Sequence, residues 1–197
     1  MVDFYFDFGS PAAYLAYTQL PALAAQTGAE LVYRPVLLGG IFQATRNASP
    51  IAVPAKGAYI MRDFARCARR YGVVLNFNPH FPFNTLNLMR MAIGLQQRRP
   101  QDFLPFVSAV YRAIWVDELK VSDDAILRGV VEKAGLDADM ILALAQDETI
   151  KALLKQETEK AVQRGLFGLP VMIVDDELYW GQDRLDFVRE ALMTAEV

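Results

Sequence analysis

The stretch VDFYFDFGSP at residues 2–11 predicts a strand that leads directly into a helix. Its first half is rich in strand-forming residues, Gly9 breaks the strand, and Pro11 suits the first turn of a helix. An apolar stripe with helical spacing then follows, formed by Tyr14, Leu15, Leu20, Leu23 and Ala24. Gly28 ends this helix, and a second strand is predicted over residues 30–35. The first unit is therefore β-α-β.

Helical patterns occupy the middle of the chain. After Val36 the strand signal disappears, and we predict helices over residues 55–71, 85–97, 103–115, 123–134, 138–145 and 148–164. Strand character returns at residues 171–174 and 177–180, which predict a hairpin, and a last helix is predicted over 183–193. The four strands can form one sheet only if the two ends of the chain meet. We therefore predict an α/β domain of residues 1–37 and 166–197, with residues 38–165 as an inserted helical domain that covers it.

Composition and charge narrow the class of protein. The chain has 197 residues, 20 basic and 23 acidic side chains, and a formal charge of −3, so we expect no nucleic-acid partner. Cys67 is the single cysteine, which excludes an intramolecular disulfide and a cysteine-built metal site and fits a reducing compartment. We find no secretory signal pattern and no apolar stretch near the roughly 18 residues of a membrane span. We expect a cytoplasmic protein without a membrane partner.

Ser10 lies where the first strand passes into a helix. Its side chain is expected near free backbone N–H groups and the positive end of the helix dipole, where an anion would be stabilised. The alternative is that Ser10 only caps the helix, a common role of serine. Serine-protease chemistry is not indicated, because the only histidine, His80, lies in a proline-rich loop and the G-x-S-x-G pattern is absent.

A second informative segment is Phe167-Gly168-Leu169-Pro170, which directly precedes a predicted strand. A proline there either simply begins the strand, or it is a cis-proline that turns the preceding backbone outward to pair with an extended ligand. In a β-α-β…β-β-α arrangement this proline is expected beside the end of the first helix. Ser10 and Pro170 are therefore expected to face one groove.

Several segments together resemble one enzyme family, the 2-hydroxychromene-2-carboxylate isomerases, which are relatives of kappa-class glutathione transferases and DsbA-type oxidoreductases. These segments occur in the family's order over nearly the whole chain: residues 6–14, 38–42 through Asn47, 54–59, 81–85 and 180–185. The resemblance implies a thioredoxin-like fold with a large helical insertion, glutathione as cofactor, a small aromatic substrate and a homodimer.

The resemblance also implies roles for individual residues. Ser10 stands where redox relatives carry the first cysteine of Cys-x-x-Cys, and Ala13 replaces the second, so disulfide exchange is not expected. Ser10 is the implied catalytic residue, because its hydroxyl would stabilise the glutathione thiolate. The other implied glutathione contacts are Asn47, Lys56, Leu169, a cis Pro170, Gln182 and Asp183. Taken alone, Asn47 would be interpreted as a loop cap, Lys56 as a surface lysine and Asp183 as a helix cap.

The acceptor pocket implied by the resemblance is formed by Phe42, Lys56, Phe83 and Asn84, with aromatic faces for a flat substrate and an amide to orient it. Cys67 is interpreted as a small apolar filler.

The implied reaction interconverts 2-hydroxychromene-2-carboxylate and trans-o-hydroxybenzylidenepyruvate in the degradation of aromatic compounds. Two alternatives stay open at this point. One is a kappa-like transferase that conjugates glutathione to electrophiles, and the other is a non-catalytic thioredoxin-fold binding module.

Overall fold

A computed structural model gives the structure of the protein and describes residues 1–194. The strands in this part of the chain are β1 (Val2–Phe6), β2 (Leu31–Pro35), β3 (Val171–Val174) and β4 (Glu177–Trp180). The α-helices are α1 (Pro11–Thr27), α2 (Leu38–Thr45), α3 (Pro54–Tyr71), α4 (Leu86–Arg98), α5 (Pro100–Trp115), α6 (Asp124–Lys133), α7 (Ala138–Leu144), α8 (Glu148–Gln163) and α9 (Leu185–Thr194). Short 3₁₀ turns cover Pro50–Ala52 and Gln182–Arg184.

The strands form a single mixed sheet in the order β2-β1-β3-β4. β1 is parallel to β2 and antiparallel to β3, and β3 is antiparallel to β4. In the register of the central pair, Asp3 lies opposite Ile173 and Tyr5 opposite Val171. The two ends of the chain therefore meet in the sheet, as the sequence predicts, and the β-α-β and β-β-α units are joined by the long helical region.

Both faces of β1 are buried, which explains its nearly continuous apolar sequence. On one face Phe4 and Phe6 join a large core cluster with Tyr111 and Trp115 of α5. On the other face Tyr5 belongs to a smaller cluster with Ile41 of α2, among others. The ring centroids of Phe6 and Tyr111 are 6.0 Å apart. The sheet and the central helices thus share the larger cluster. The division of the chain into two domains stays a prediction.

The structure contains one helix that the sequence analysis did not predict. α2 begins at Leu38 and includes Gly39 and Gly40. Because glycine has a low helix propensity, the sequence pattern does not indicate a helix here. A tertiary contact holds it, because the Leu37 N–H donates to the Thr158 hydroxyl of α8 at 3.0 Å. A Cβ on Gly40 would lie 3.1 Å from Thr158 Cγ2, so a small residue permits this close approach.

The remaining differences concern the ends of elements. α5 begins at Pro100 instead of 103, because a proline fits the first helical turn. The predicted last helix is split into a 3₁₀ turn and α9, and residues 195–197 of the predicted α/β domain lie outside the described part. No helix in residues 1–194 combines the length and the apolar character that crossing a membrane requires.

Candidate active site

Ser10 is buried at the amino end of α1, and its side-chain hydroxyl makes two hydrogen bonds. Its Oγ accepts a bond from the Ala13 N–H at 3.1 Å, which is the geometry of a helix cap. The same hydroxyl donates to the Leu169 carbonyl at 3.2 Å, across 159 positions of the chain. Ser10 is therefore both a cap and a link between α1 and the segment before β3. Its backbone φ of −100° and ψ of 111° are extended, as an N-cap requires.

The segment before β3, residues 167–170, passes directly beside Ser10. The Leu169–Pro170 peptide bond is cis, and so is Phe81–Pro82, which the sequence analysis did not predict. The Pro170 carbonyl accepts a bond from the Gly181 N–H at 3.0 Å, which connects this segment to the end of β4. The structure thus brings Ser10, Leu169 and Pro170 together, with the Ser10 hydroxyl proton directed at the Leu169 carbonyl.

Asn47 extends the same cluster from the end of α2. Its side-chain amide donates to the Phe167 carbonyl at 2.8 Å, and its amide oxygen accepts from the Ala48 N–H at 2.8 Å. Asn47 is exposed and so accessible to a ligand, but it also has the loop-cap role. Lys56 lies nearby in sequence, exposed in the first turn of α3. Within residues 1–194 the structure shows no hydrogen bond or ion pair for its ammonium group.

Apart from Lys56 on α3, the predicted pocket residues lie on two different segments. Phe42 is half-buried on α2. Phe83 belongs to an aromatic group with Phe81 and Trp115, at centroid distances of 6.0 and 6.3 Å. The Asn84 side-chain oxygen accepts a hydrogen bond from the Leu86 N–H at 2.9 Å at the start of α4. The NH₂ group of Asn84 takes no part in this bond. Both segments carry aromatic side chains.

Gln182 and Asp183 lie in the 3₁₀ turn before α9. Gln182 is buried, and its carbonyl accepts a bond from the Tyr71 hydroxyl of α3 at 2.6 Å. Burial, with the nearby Cys67 and Asp183 side chains, raises the pKa of Tyr71 to about 12, so this hydroxyl keeps its proton at neutral pH. Asp183 is half-exposed, and its Oδ2 lies 2.6 Å from Nη1 of Arg184. It lines a polar cavity of about 200 Å³ between α1, α3 and α9.

The structure corrects the interpretation of Cys67 as a small apolar filler. Cys67 does not fill the apolar core: it is half-buried in the wall of this polar cavity, and the Gln182 amide donates to its sulfur at 3.7 Å. Its position on a helix rich in arginine gave no signal of this neighbour, because the contact joins residues 115 positions apart.

Sequence reasoning also missed an aromatic pair beside the 167–170 segment. The rings of Phe167 and Trp180 lie 4.9 Å apart, and both side chains are partly exposed. A Cβ placed on Gly168 would lie 2.9 Å from the indole nitrogen of Trp180, so the indole packs directly on this glycine. The signal that could have found the pair is the register, because Trp180 lies opposite Val171 in the sheet.

The fold and the contact of Ser10 with the segment before β3 define a class of protein. Residues 1–193 match the DSBA-like thioredoxin domain family, and Ser10 lies at the turn from β1 into α1 beside the cis-proline segment. Positions 10 and 13 at that turn are serine and alanine, so this turn contains no pair of cysteines.

Within that class, the chain belongs to the 2-hydroxychromene-2-carboxylate isomerase family. It is 37% identical over 194 residues to the 2-hydroxychromene-2-carboxylate isomerase of Sphingobium xenophagum, covering 98% of this chain and 97% of that protein. Identity to the isomerase of Pseudomonas putida is 30%, with 98% and 94% covered. A solved structure of a 2-hydroxychromene-2-carboxylate isomerase superposes with a TM-score of 0.85 at 29% identity, covering 98% of this chain and 95% of that one.

A second group of relatives is more distant. Glutathione S-transferase kappa 1 of Rattus norvegicus is 26% identical over 95% of this chain and 88% of its own length. The family and the thioredoxin-like fold predicted from the sequence are thus confirmed, and the relatives support an isomerase function.

Proposed function

We propose that this protein is a glutathione-dependent isomerase that interconverts 2-hydroxychromene-2-carboxylate and trans-o-hydroxybenzylidenepyruvate in the degradation of aromatic compounds. The observation that carries the proposal is the Ser10 hydroxyl, held at the amino end of α1 and next to the Leu169 carbonyl in a chain whose relatives bear the isomerase name. A helix amino terminus stabilises an anion, and a hydroxyl donor there favours a thiolate over a thiol.

The residues of the candidate site offer groups suited to glutathione. Leu169 would pair its backbone N–H and C=O groups with the cysteinyl part of the tripeptide, and Gln182 with Asp183 would offer an acid and helical amides to its γ-glutamyl end. Asn47 adds an exposed amide beside Phe167. Glutathione, when bound, supplies a thiolate that adds to the side-chain double bond of the substrate and later leaves, so that the rigid bond can rotate between the two events.

The Ser10 hydroxyl has one proton, and this limits how it can act. In the structure that proton goes to the Leu169 carbonyl at 3.2 Å. To donate to a sulfur, the hydroxyl must turn away, and the buried carbonyl then needs another donor. A backbone N–H of a peptide-like cofactor can replace it. This exchange would couple recognition of the cofactor backbone to reorientation of the Ser10 hydroxyl, which keeps its proton and donates a hydrogen bond to the sulfur.

The remaining residues serve the substrate in this proposal. Lys56 and Asn47 stabilise the negative charge that develops on the pyruvate-like part of the substrate. Phe42 and Phe83 contribute aromatic faces, and Asn84 orients the substrate. The proposal includes a homodimer in the cytoplasm, in line with the family resemblance and the single cysteine.

The test is an isomerisation assay with purified protein and either glutathione, S-methylglutathione or no addition. We expect interconversion of the two compounds only in the sample with glutathione. S-methylglutathione keeps the recognition groups but lacks the thiol, so it should not support the reaction. No interconversion with glutathione would overturn the proposal. Conjugation of chlorodinitrobenzene without isomerisation would indicate instead a transferase like the kappa relatives, and no glutathione binding by calorimetry would indicate a non-catalytic binding module.

Gly168→Ala tests whether the 167–170 segment holds the cofactor. The new methyl group would lie 2.9 Å from the indole nitrogen of Trp180, so either the indole or Leu169 must move. We expect the dissociation constant for glutathione, measured by isothermal titration calorimetry, to rise about tenfold. Adding Trp180→Phe, which removes the crowding nitrogen, is expected to restore part of the affinity.

Gly129→Ala is the matched control for this substitution, because Gly129 lies in a helix and its Cβ position has no neighbour within 4 Å. It is expected to leave glutathione binding unchanged. Wild-type affinity in Gly168→Ala, together with unchanged Trp180 fluorescence, would show that the segment does not contact the cofactor.

A further inference from the structure

Asp7 is a fully buried carboxylate to which the proposed chemistry gives no task. It follows β1 directly, and its exposed fraction is 0%. None of the ion pairs within residues 1–194 includes it. Moving a carboxylate out of water without a cation is costly, so the hydrogen bonds that it accepts must offset the loss.

Two backbone hydrogen bonds reach this carboxylate from different segments, and a third segment lies beside it. The Gly9 N–H donates to Oδ1 at 2.8 Å. The Leu38 N–H donates to Oδ2 at 2.8 Å. The Thr85 side chain lies against the same turn, because a Cβ on Gly9 would be 3.1 Å from Thr85 Cγ2 and 3.9 Å from its hydroxyl oxygen. Burial raises the pKa of the Asp7 carboxyl above its ordinary value, and the Gly9 and Leu38 N–H groups and the Thr85 hydroxyl lower it in turn.

Each of the three segments carries residues of the candidate site. Gly9 is adjacent to Ser10. Leu38 is the first residue of α2, which carries Phe42 and leads to Asn47. Thr85 follows Phe83 and Asn84 at the start of α4. One carboxylate thus connects the segments on which the thiolate, cofactor and substrate contacts are proposed to lie.

We infer that Asp7 is a positioning residue that fixes the Ser10 turn, the start of α2 and the start of α4 in one arrangement, and this inference rests on the proposed function. Its two oxygens hold separate segments, and both must be acceptors for this. Asparagine has the same shape but only one acceptor oxygen, so it can hold either Gly9 or Leu38 and turns its NH₂ group toward the other. Aspartate is the smallest side chain that satisfies both.

The test compares Asp7→Asn with Asp3→Asn. Asp3 is also buried on β1, but its oxygens pair with Arg34 and Arg164, away from the three segments. Both variants lose a buried acceptor and are expected to melt at a lower temperature. At a temperature where both are folded, only Asp7→Asn is expected to lower kcat/KM of the isomerisation, by about tenfold or more. Its dissociation constant for glutathione is expected to rise about fivefold.

An NMR measurement separates this inference from the proposed function. In amide spectra, Asp7→Asn is expected to shift the side-chain resonances of Asn47 and Asn84, whereas Asp3→Asn leaves them in place. If the wild type neither binds glutathione nor isomerises, the proposed function fails and these resonances alone decide the inference. Unchanged resonances, or unchanged kinetics in an active enzyme, would overturn it.

Thr85→Val keeps the inference testable if Asp7→Asn does not fold. It removes only the side-chain donor and preserves the shape of the residue. Because Thr85 adjoins the proposed substrate residues, the KM for substrate is expected to rise about threefold while glutathione affinity and kcat stay near wild type. An unchanged KM together with unshifted Asn84 resonances would count against the role of Asp7.

Discussion

Replacing Ser10 with alanine is expected to lower kcat/KM of the isomerisation about 100-fold, the effect of removing one donor from a developing anion. The hydroxyl has no neighbouring replacement, because Ala13, one turn along α1, carries no donor side chain. The pKa of the bound glutathione thiol, followed by the ultraviolet absorbance of the thiolate, is expected to rise in the variant. Ser10→Thr, which retains the hydroxyl, should keep much of the activity.

The control for Ser10→Ala must account for the lost helix cap, which by itself costs about 1 kcal/mol of stability. Asp123→Ala provides it, because Asp123 caps α6 through the Ala125 and Ile126 N–H groups and belongs to no proposed contact. This variant is expected to lose stability but keep wild-type kcat/KM. If Ser10→Ala behaves in the same way, Ser10 is a structural cap only.

Lys56→Met is expected to lower kcat about 100-fold, with a smaller rise in the KM for substrate. Lys56 is the third residue of α3, at the positive end of the helix dipole, where a cation is disfavoured. No carboxylate in residues 1–194 pairs with it. Its ammonium and the helix amino terminus together produce a positive potential that suits a carboxylate or a developing oxyanion.

Steady-state kinetics with saturating glutathione measure this effect. Lys155→Met is the matched control, since Lys155 is an exposed lysine of α8 that pairs with Glu159 at 3.7 Å. It removes one positive charge away from the groove and should leave kcat unchanged. A kcat for Lys56→Met within about twofold of wild type would remove Lys56 from the proposed mechanism.

Local sequence signals predicted the parts of the fold that local physics determines. The β1-Gly9-Ser10-Pro11 turn and the β3–β4 hairpin depend on strand propensity, glycine and proline, all of which can be recognised in one short window. Helix α2 could not be predicted in this way, because Gly39 and Gly40 are poor helix formers and the helix is stabilised by its contact with Thr158.

The candidate site shows the same limit. Ser10 and Pro170 could be placed in one groove, because the strand order implied their proximity. The sequence shows an acid directly after an apolar strand, but it does not indicate that Asp7 links several segments. Leu38 and Thr85, which act on its carboxyl group, are distant from it in the chain. The place of Cys67 beside Gln182 is a tertiary fact of the same kind.

The two tryptophans of the chain have very different surroundings. Trp115 is completely buried, with its indole N–H bonded to the Phe8 carbonyl at 2.9 Å. Trp180 is 48% exposed and packs on Gly168, next to Leu169. Emission from Trp180 is therefore expected to respond to a ligand bound beside Leu169, whereas emission from Trp115 reports on the integrity of the core. If glutathione binds as proposed, the native protein contains one fluorescent probe of binding and one of folding, without any added label.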